Sequence, residues 1–251
     1  MTDEEIVLLD IKDAVATVTL NRPDRHNAFD DVMIARLSAL WDELAARNDV
    51  GVVVLKGNGK SFSAGADLNW MKRAADYSWE QNHEDALKLA HMLRKLYELP
   101  QLTVACVFGA AMGGGMGLVS CCDIVIADKE AKFALSEVKL GLIPATIAPY
   151  VLRAMGERHA RRYFQTGERF DGETAYKIGF VHELAERPED VEYILHKILQ
   201  DVSKNGPKAM RTAKALCLDF GGRDLSEDIL KDSANRIAET RSGEEAQEGL
   251  A

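Results

Sequence analysis

The stretch FGAAMGGGMGLVSCCDIVIA, Phe108 to Ala127, constrains the chain most, because it sets three consecutive glycines, Gly113, Gly114 and Gly115, in surroundings that look like core. Glycine loses more backbone freedom on folding than any other residue, so a buried run of it needs a use. Two uses fit. Backbone can approach backbone closely where no Cβ intervenes, or the N–H groups of a helix start can hold an anion or a developing oxyanion. The flanking apolar runs, Thr103 to Val107 and Asp123 to Ala127, are strand-length. The segment therefore reads as strand, glycine turn, short helix, strand.

The same alternation runs through much of the chain. IVLLDIKDAVATVTLN holds two β-branched runs broken at Lys12 and Asp13, a hairpin signal. AFDDVMIARLSALWDELAARNDV carries apolar residues at helical spacing behind Asp30 as a cap, and VGVVVLKG reads as a fully buried strand. A loop and helices from Gly59 to Leu99 end at Pro100. Strands alternating with helices predict an α/β core with substantial parallel pairing. From Pro188 onward the pattern is almost entirely helical, which divides the chain into a core over 1–187 and a helical region over 188–251. Helices that leave a compact unit with apolar faces uncovered often cover them against a partner subunit. No sequence repeat or low-complexity linker separates the parts. The helical pattern is unfinished at Ala251, so further natural C-terminus is expected.

Composition narrows the classes. Among 251 residues, 31 basic against 40 acidic side chains give a formal charge of −9, which disfavours nucleic acid and anionic membranes as general partners. MTDEEIVLLDIKD is unlike a basic leader followed by an apolar signal core. No apolar run approaches the ~18 to 20 residues of a spanning helix. A soluble, cytoplasmic protein is expected. Cys106, Cys121, Cys122 and Cys217 show no CxxC spacing, so buried thiols are expected rather than a zinc site or disulfides.

Two glycine-containing loops each join a buried strand to a helix: GKSFSAGADLNWM and GAAMGGGMG. Neither has the GxGxxG or GxxxxGK[ST] spacing of a nucleotide site, and the chain has no GxSxG elbow. His83 and His91, in HEDALKLAH, have the wrong spacing for a metal pair and read as solvated helix residues. Glu137, in KFALSEVKLGLIP, is a carboxylate among apolar neighbours just after a short strand. Burial there would raise its pKa and suit it to proton transfer near neutral pH, whereas an exposed loop acid is the other reading.

Taken in order, LNRPDRHNAF, GKSFSAGADL, GAAMGGGMGLVSCCDIVIAD, AKFALSEVKLGLIP and FQTGERFDGETAYKIGFVHEL resemble the enoyl-CoA hydratase/isomerase (crotonase) superfamily over nearly the whole chain. The resemblance implies a crotonase-like superhelix of ββα turns with a C-terminal helical trimerisation region, assembling as a homotrimer or a dimer of trimers. It implies an acyl-CoA thioester as ligand and no separate cofactor or metal. Ala66 and Gly114 match the two oxyanion-hole residues, whose N–H groups hold the thioester oxygen as it becomes an enolate. Glu137 matches the catalytic glutamate. The first glutamate of typical hydratases falls at Gly117 here, a departure that brings in Δ3,Δ2-enoyl-CoA isomerases, which shuttle one proton with one acid.

Finer wording, GKSFSAGADLNWMKR with GGGMGLVSCCDIVIA and SEVKLGLIPATIAPYV, resembles bacterial hydratases of branched glutaconyl-CoA thioesters, 3-methylglutaconyl-CoA in leucine degradation or its isohexenyl homologue in terpene degradation. The reading is hydration of a 2-enoyl-CoA, with isomerase, acyl-CoA hydrolase and inactive CoA-binding subunit as alternatives. Ordered water or the substrate's own carboxylate is expected in the space at Gly117. Arg25 is a candidate for the CoA phosphates, and Asp67 and Leu68 for backbone contacts to adenine. Ala64, Asn69, Gly113, Gly117 and Thr146 complete the candidate substrate-binding set, with Pro144 beside Thr146 shaping the acyl pocket. Ser120 and Cys121, a turn beyond Gly117, read as helix packing, and the loop from Trp70 to Tyr77 is expected to set pocket volume.

Overall fold

The structure, a computed structural model, describes residues 5–251. It opens with the expected hairpin, β1 (Val7–Lys12) and β2 (Val15–Leu20), paired from Val7 with Leu20 to Lys12 with Val15. Asp13 and Ala14 turn it with φ of 49° and 62°. Two left-handed turn residues match the twist of the flanking strands. Helix α1 (Asp31–Ala45) follows, capped as read from the sequence: Asp30 Oδ1 accepts the Met33 N–H at 3.0 Å.

Strand β3 (Val52–Gly57) leads to α2 (Leu68–Ala74) and α3 (Trp79–Tyr97), then β4 (Leu102–Val107), β5 (Ala110–Met112), α4 (Gly114–Cys121), β6 (Ile124–Asp128) and β7 (Lys132–Ala134). Helix α5 (Ala148–Thr166, kinked at Gly156), β8 (Arg169–Asp171), α6 (Gly172–Lys177) and β9 (Glu183–Ala185) complete the core. The last four elements are helical, as the sequence predicts: α7 (Asp190–Val202), α8 (Pro207–Phe220), α9 (Glu227–Ser242) and α10 (Glu244–Leu250).

Two sheets organise the core. The larger has the order β1-β2-β3-β4-β6-β9 and is parallel throughout from β2 onward; the smaller has the order β5-β7-β8. Single bridges extend the second layer, Phe29 with Ala66 and Ser63 with Ala111. Each successive turn of chain thus places a long strand in the large sheet, a short extended piece in the second layer, and a helix outside. The repeat is one of structure, without a repeat of sequence.

The apolar runs of the sequence are buried on both faces, as covered parallel strands are. Val53, Leu55, Ala105, Val107, Val125 and Ala127 face the main core with α1, α3 and α4, while Val52, Val54, Val104, Cys106 and Ile126 meet Val191 and Leu195 of α7. Cys106 and Cys121 are buried thiols as expected, and burial pushes Cys106 up to about 12. Contrary to the expectation for all four, Cys122, at the end of α4, is only half-buried, and Cys217 is exposed because α8 packs on the core without burying any of its residues. Among the described residues no helix is long and apolar enough to cross a membrane.

Candidate active site

Two loops meet ahead of α4. The first is anchored by Asn27, a buried residue with φ 54°, which accepts the Arg22 N–H at 2.8 Å and donates to the Asn58 and Ser61 carbonyls at 2.9 and 2.8 Å. Phe29 then pairs with the loop: its N–H donates to the Gly65 carbonyl and its carbonyl accepts the Asp67 N–H, both at 2.7 Å. In a parallel bridge the residue between those two bonds points its own N–H the other way. Ala66 is that residue, and among the described residues its N–H has no acceptor.

The second loop is tied to the first through Ser63, whose N–H donates to the Ala110 carbonyl at 2.9 Å and whose carbonyl accepts the Met112 N–H at 2.9 Å. Gly113 donates to the Ala134 carbonyl at 2.9 Å, and α4 begins. The N–H of Gly114, in the first turn of the helix, has no acceptor among the described residues. The loops touch at Gly65: a Cβ there would lie 2.7 Å from the Met112 carbonyl oxygen and 3.4 Å from the Gly114 nitrogen. Two unspent N–H groups, on Ala66 and Gly114, thus stand on adjoining backbone. At Gly114 a Cβ would meet the Phe29 ring at 2.7 Å, so both early uses of the triplet, close packing and open donors, coexist.

Glu137 begins a 3-10 turn, Glu137–Leu140, that closes on Gly141 at φ 72°. This turn brings its carboxyl over Gly113, where Oε1 would lie 2.9 Å from a Cβ. Gly113 itself sits at φ 46°, a second reason for glycine. Oε2 is buried without a partner, and it is the only carboxylate oxygen so placed among the described residues. Burial holds the group above the usual carboxylate value of 4.5, opposed only by a hydrogen bond from its own backbone N–H. The acid is set against the start of α4 rather than lying free in solvent.

Gly117 departs from expectation. No room for water or a substrate carboxylate exists on its Cα side, because Ile147 Cγ2 occupies the place a Cβ would take, with Ile147 Cβ at 3.1 Å and Leu93 Cδ2 at 3.7 Å. The missing acid is replaced by aliphatic packing from α3 and the start of α5.

The remaining candidates are spread around this centre. Asp67, buried, caps α2 by accepting the N–H groups of Asn69 and Trp70 at 2.8 and 3.3 Å. It also binds Arg25 at 3.1 Å and Arg22 at 3.5 Å, and those backbone and arginine donors outweigh its desolvation to hold its pKa below the usual value. Arg25 keeps a side chain 55% exposed, while Arg22 is committed to Asp30 at 2.8 Å. Leu68, Asn69 and Ala64 are exposed, Ala64 with its N–H spent on the His26 carbonyl. Thr146 is half-buried beside buried Pro144. Ser120 donates to the Met116 carbonyl at 2.8 Å and Cys121 is core, so both are helix packing. His83 and His91 are solvated, His83 stacked on exposed Trp79. The Trp70 to Tyr77 stretch, expected as a loop, is helical through Ala74 as part of α2, with Trp70 buried and Leu68, at the helix start, carried outward. Leu140, Leu142 and Ile143 are also exposed, in and just after the turn that carries Glu137.

Sequence reasoning gave no role to Phe29, Ser63 or Ile147. Phe29 and Ser63 sit in quoted motifs but act through pairing, and only the folded contact between Gly117 and Ile147 reveals the latter.

The comparisons agree with this architecture. The family described as enoyl-CoA hydratase/isomerase matches residues 10–251, and the chain belongs to it. A crystal structure of an enoyl-CoA hydratase from Shewanella pealeana superposes with a TM-score of 0.94 at 42% identity, covering 98% of this chain and 91% of that one. The Pseudomonas aeruginosa protein AtuE superposes at 0.95 with 35% identity over 98% and 95%. Enoyl-CoA hydratase ACTT6 of Alternaria alternata is 32% identical over 240 residues, 93% of this chain and 76% of that protein. The chain is an enzyme, a lyase of the enoyl-CoA hydratase type acting on an acyl-CoA thioester.

Proposed function

We propose that the enzyme adds water across a 2-enoyl-CoA thioester with Glu137 as its only acid–base residue. The thioester oxygen sits between the Ala66 and Gly114 N–H groups. Glu137 takes a proton from water, the resulting hydroxide attacks Cβ, and the electron pair moves into an enolate whose oxygen those donors stabilise. The same carboxyl then returns a proton to Cα, so one water is added and the carboxylate is restored. The observation that carries this reading is the buried, unpartnered Glu137 Oε2 at the start of α4, beside two unspent N–H groups.

For the acyl group we propose a branched glutaconyl thioester, 3-methylglutaconyl-CoA or its isohexenyl homologue, supported by the motif wording around Ala66, Gly114 and Glu137. Arg25, free to about half its surface beside the Asp67 cap, is proposed to meet CoA phosphate, with Leu68 and Asn69 at the mouth and Thr146 on the acyl side. The domain reading keeps the thioester site within 1–187 and gives 188–251 to assembly as a trimer or dimer of trimers. Its support is that α8 and α10 bury no residue and α9 buries only Ile229.

One observation favours a second reading. The aliphatic fill at Gly117 leaves a single acid, which suits Δ3,Δ2 double-bond migration. Crotonyl-, 3-methylglutaconyl-, longer branched glutaconyl- and 3-enoyl-CoA, followed by absorbance and mass, separate the two. Gain of one water on the 2-enoyl esters, fastest with the branched glutaconyl ones, supports hydration; isomerised 3-enoyl ester with no water gained on any substrate refutes it.

A further inference from the structure

Gly113, the N-cap of α4, lies one turn before Gly117, whose N–H donates to the Gly113 carbonyl at 3.1 Å. Against Gly113 stands the Glu137 carboxyl; against Gly117 stand Ile147 and Leu93. The carboxyl thus stands against the N-cap of α4 and the isoleucine against the first turn that follows it. Ile147 is 2% exposed and held by its own backbone, since its carbonyl accepts the N–H groups of Tyr150 and Val151, both at 3.1 Å, as α5 begins. Leu93, fully buried in α3, closes the other side of the notch.

We propose that Ile147 is a positioning residue for Glu137: locked into the notch left by Gly117, it seals the inner side of the carboxylate against water. The inference rests on the role proposed for Glu137 and gives a physical cause for the burial of that group. No charged side chain adds to its shift, which comes from burial against its own backbone N–H. The facing residues of α4 and α5, Gly113, Gly117 and Ile147, do not titrate. On its own turn, Lys139 extends toward Gly167, where its Cε would lie 3.1 Å from a Cβ. The seal also explains why glycine is needed at 117, since any Cβ collides with Ile147.

The test has two arms. Ile147→Ala opens the notch, and the acidic limb of the kcat/KM profile moves down by on the order of one pH unit. Ile147→Val, which keeps both Cγ atoms, leaves the limb in place. Should Ile147→Ala fail to fold, Ile147→Thr, which puts a hydroxyl in the notch, must move the limb in the same direction. In the second arm Gly117→Ala lowers Tm, and the loss in Gly117→Ala/Ile147→Ala is smaller than the sum of the two single losses. An unmoved limb, or a double loss equal to or above that sum, overturns the inference. Glu137→Gln measured alongside separates the failures: retained turnover there removes the role of Glu137, whereas lost turnover with an unmoved limb removes the role of Ile147 alone.

Discussion

Replacing Gly65 by alanine strikes the contact between the two loops. Gly65 has φ +84°, in the left-handed region, where a side chain costs about 1–2 kcal/mol. Its Cβ would also lie 2.7 Å from the Met112 carbonyl oxygen and 3.3 Å from the Met112 carbonyl carbon, backbone atoms that cannot rotate aside. The loop must shift, and with it the Ala66 N–H. Strain of about 1–3 kcal/mol appears as a fall in Tm of several degrees. Losing one aligned oxyanion donor costs about 2.7–4 kcal/mol of barrier, roughly 10²- to 10³-fold in kcat. Gly179→Ala is the control: φ is +76° there but no atom lies within 4 Å of the added Cβ, so it carries backbone strain alone. The assay is loss of enoyl-thioester absorbance beside a thermal melt. If Gly65→Ala keeps the kcat of Gly179→Ala, the placement of the donor pair at Ala66 and Gly114 is wrong.

Other predictions follow from single groups. Asp67→Ala removes the cap of α2, costing about 1 kcal/mol in a denaturant melt, and frees Arg25, so KM for the thioester changes more than kcat. Glu137 has a folded pKa above its usual 4.5, so its contribution to stability is complete below that value and is lost as pH rises through the raised one. Glu137→Gln therefore melts above the wild type at pH 8, with the gap closing as pH falls below 4.5. Leu230→Asp with Ile237→Asp, on the exposed side of α9, lowers the sedimentation coefficient from that of a trimer or larger assembly to that of a monomer.

What the sequence revealed and what it hid follow from the range of the interactions. The hairpin at Asp13, the Asp30 cap and the apolar strands were legible because their causes are local: turn geometry, one side chain reaching its own backbone, and unbroken β-branched runs buried on both faces. Strand β5, three residues among glycines, was not resolved from the turn around it, since a bridge to Ser63 and pairing with β7 define it. The Glu137 carboxyl stood out as an acid among apolar residues, yet its burial depended on a 3-10 turn closing over α4. Gly117 was recognised as a departure, but its neighbour is thirty residues further along the chain and leaves no local mark. The exposure of Cys217 leaves no local mark, since it depends on what covers α8, and the described chain buries none of that helix's residues.

In the proposed reaction one carboxylate, that of Glu137, moves every proton. Its direct measurement is hydration of crotonyl-CoA by the wild type and by Glu137→Gln, followed by mass and absorbance with the fold checked by melting. The expected result is one water gained with the wild type and a rate lower by roughly 10²- to 10⁴-fold with the variant, at undiminished stability. Hydration by Glu137→Gln at a rate close to that of the wild type would contradict it.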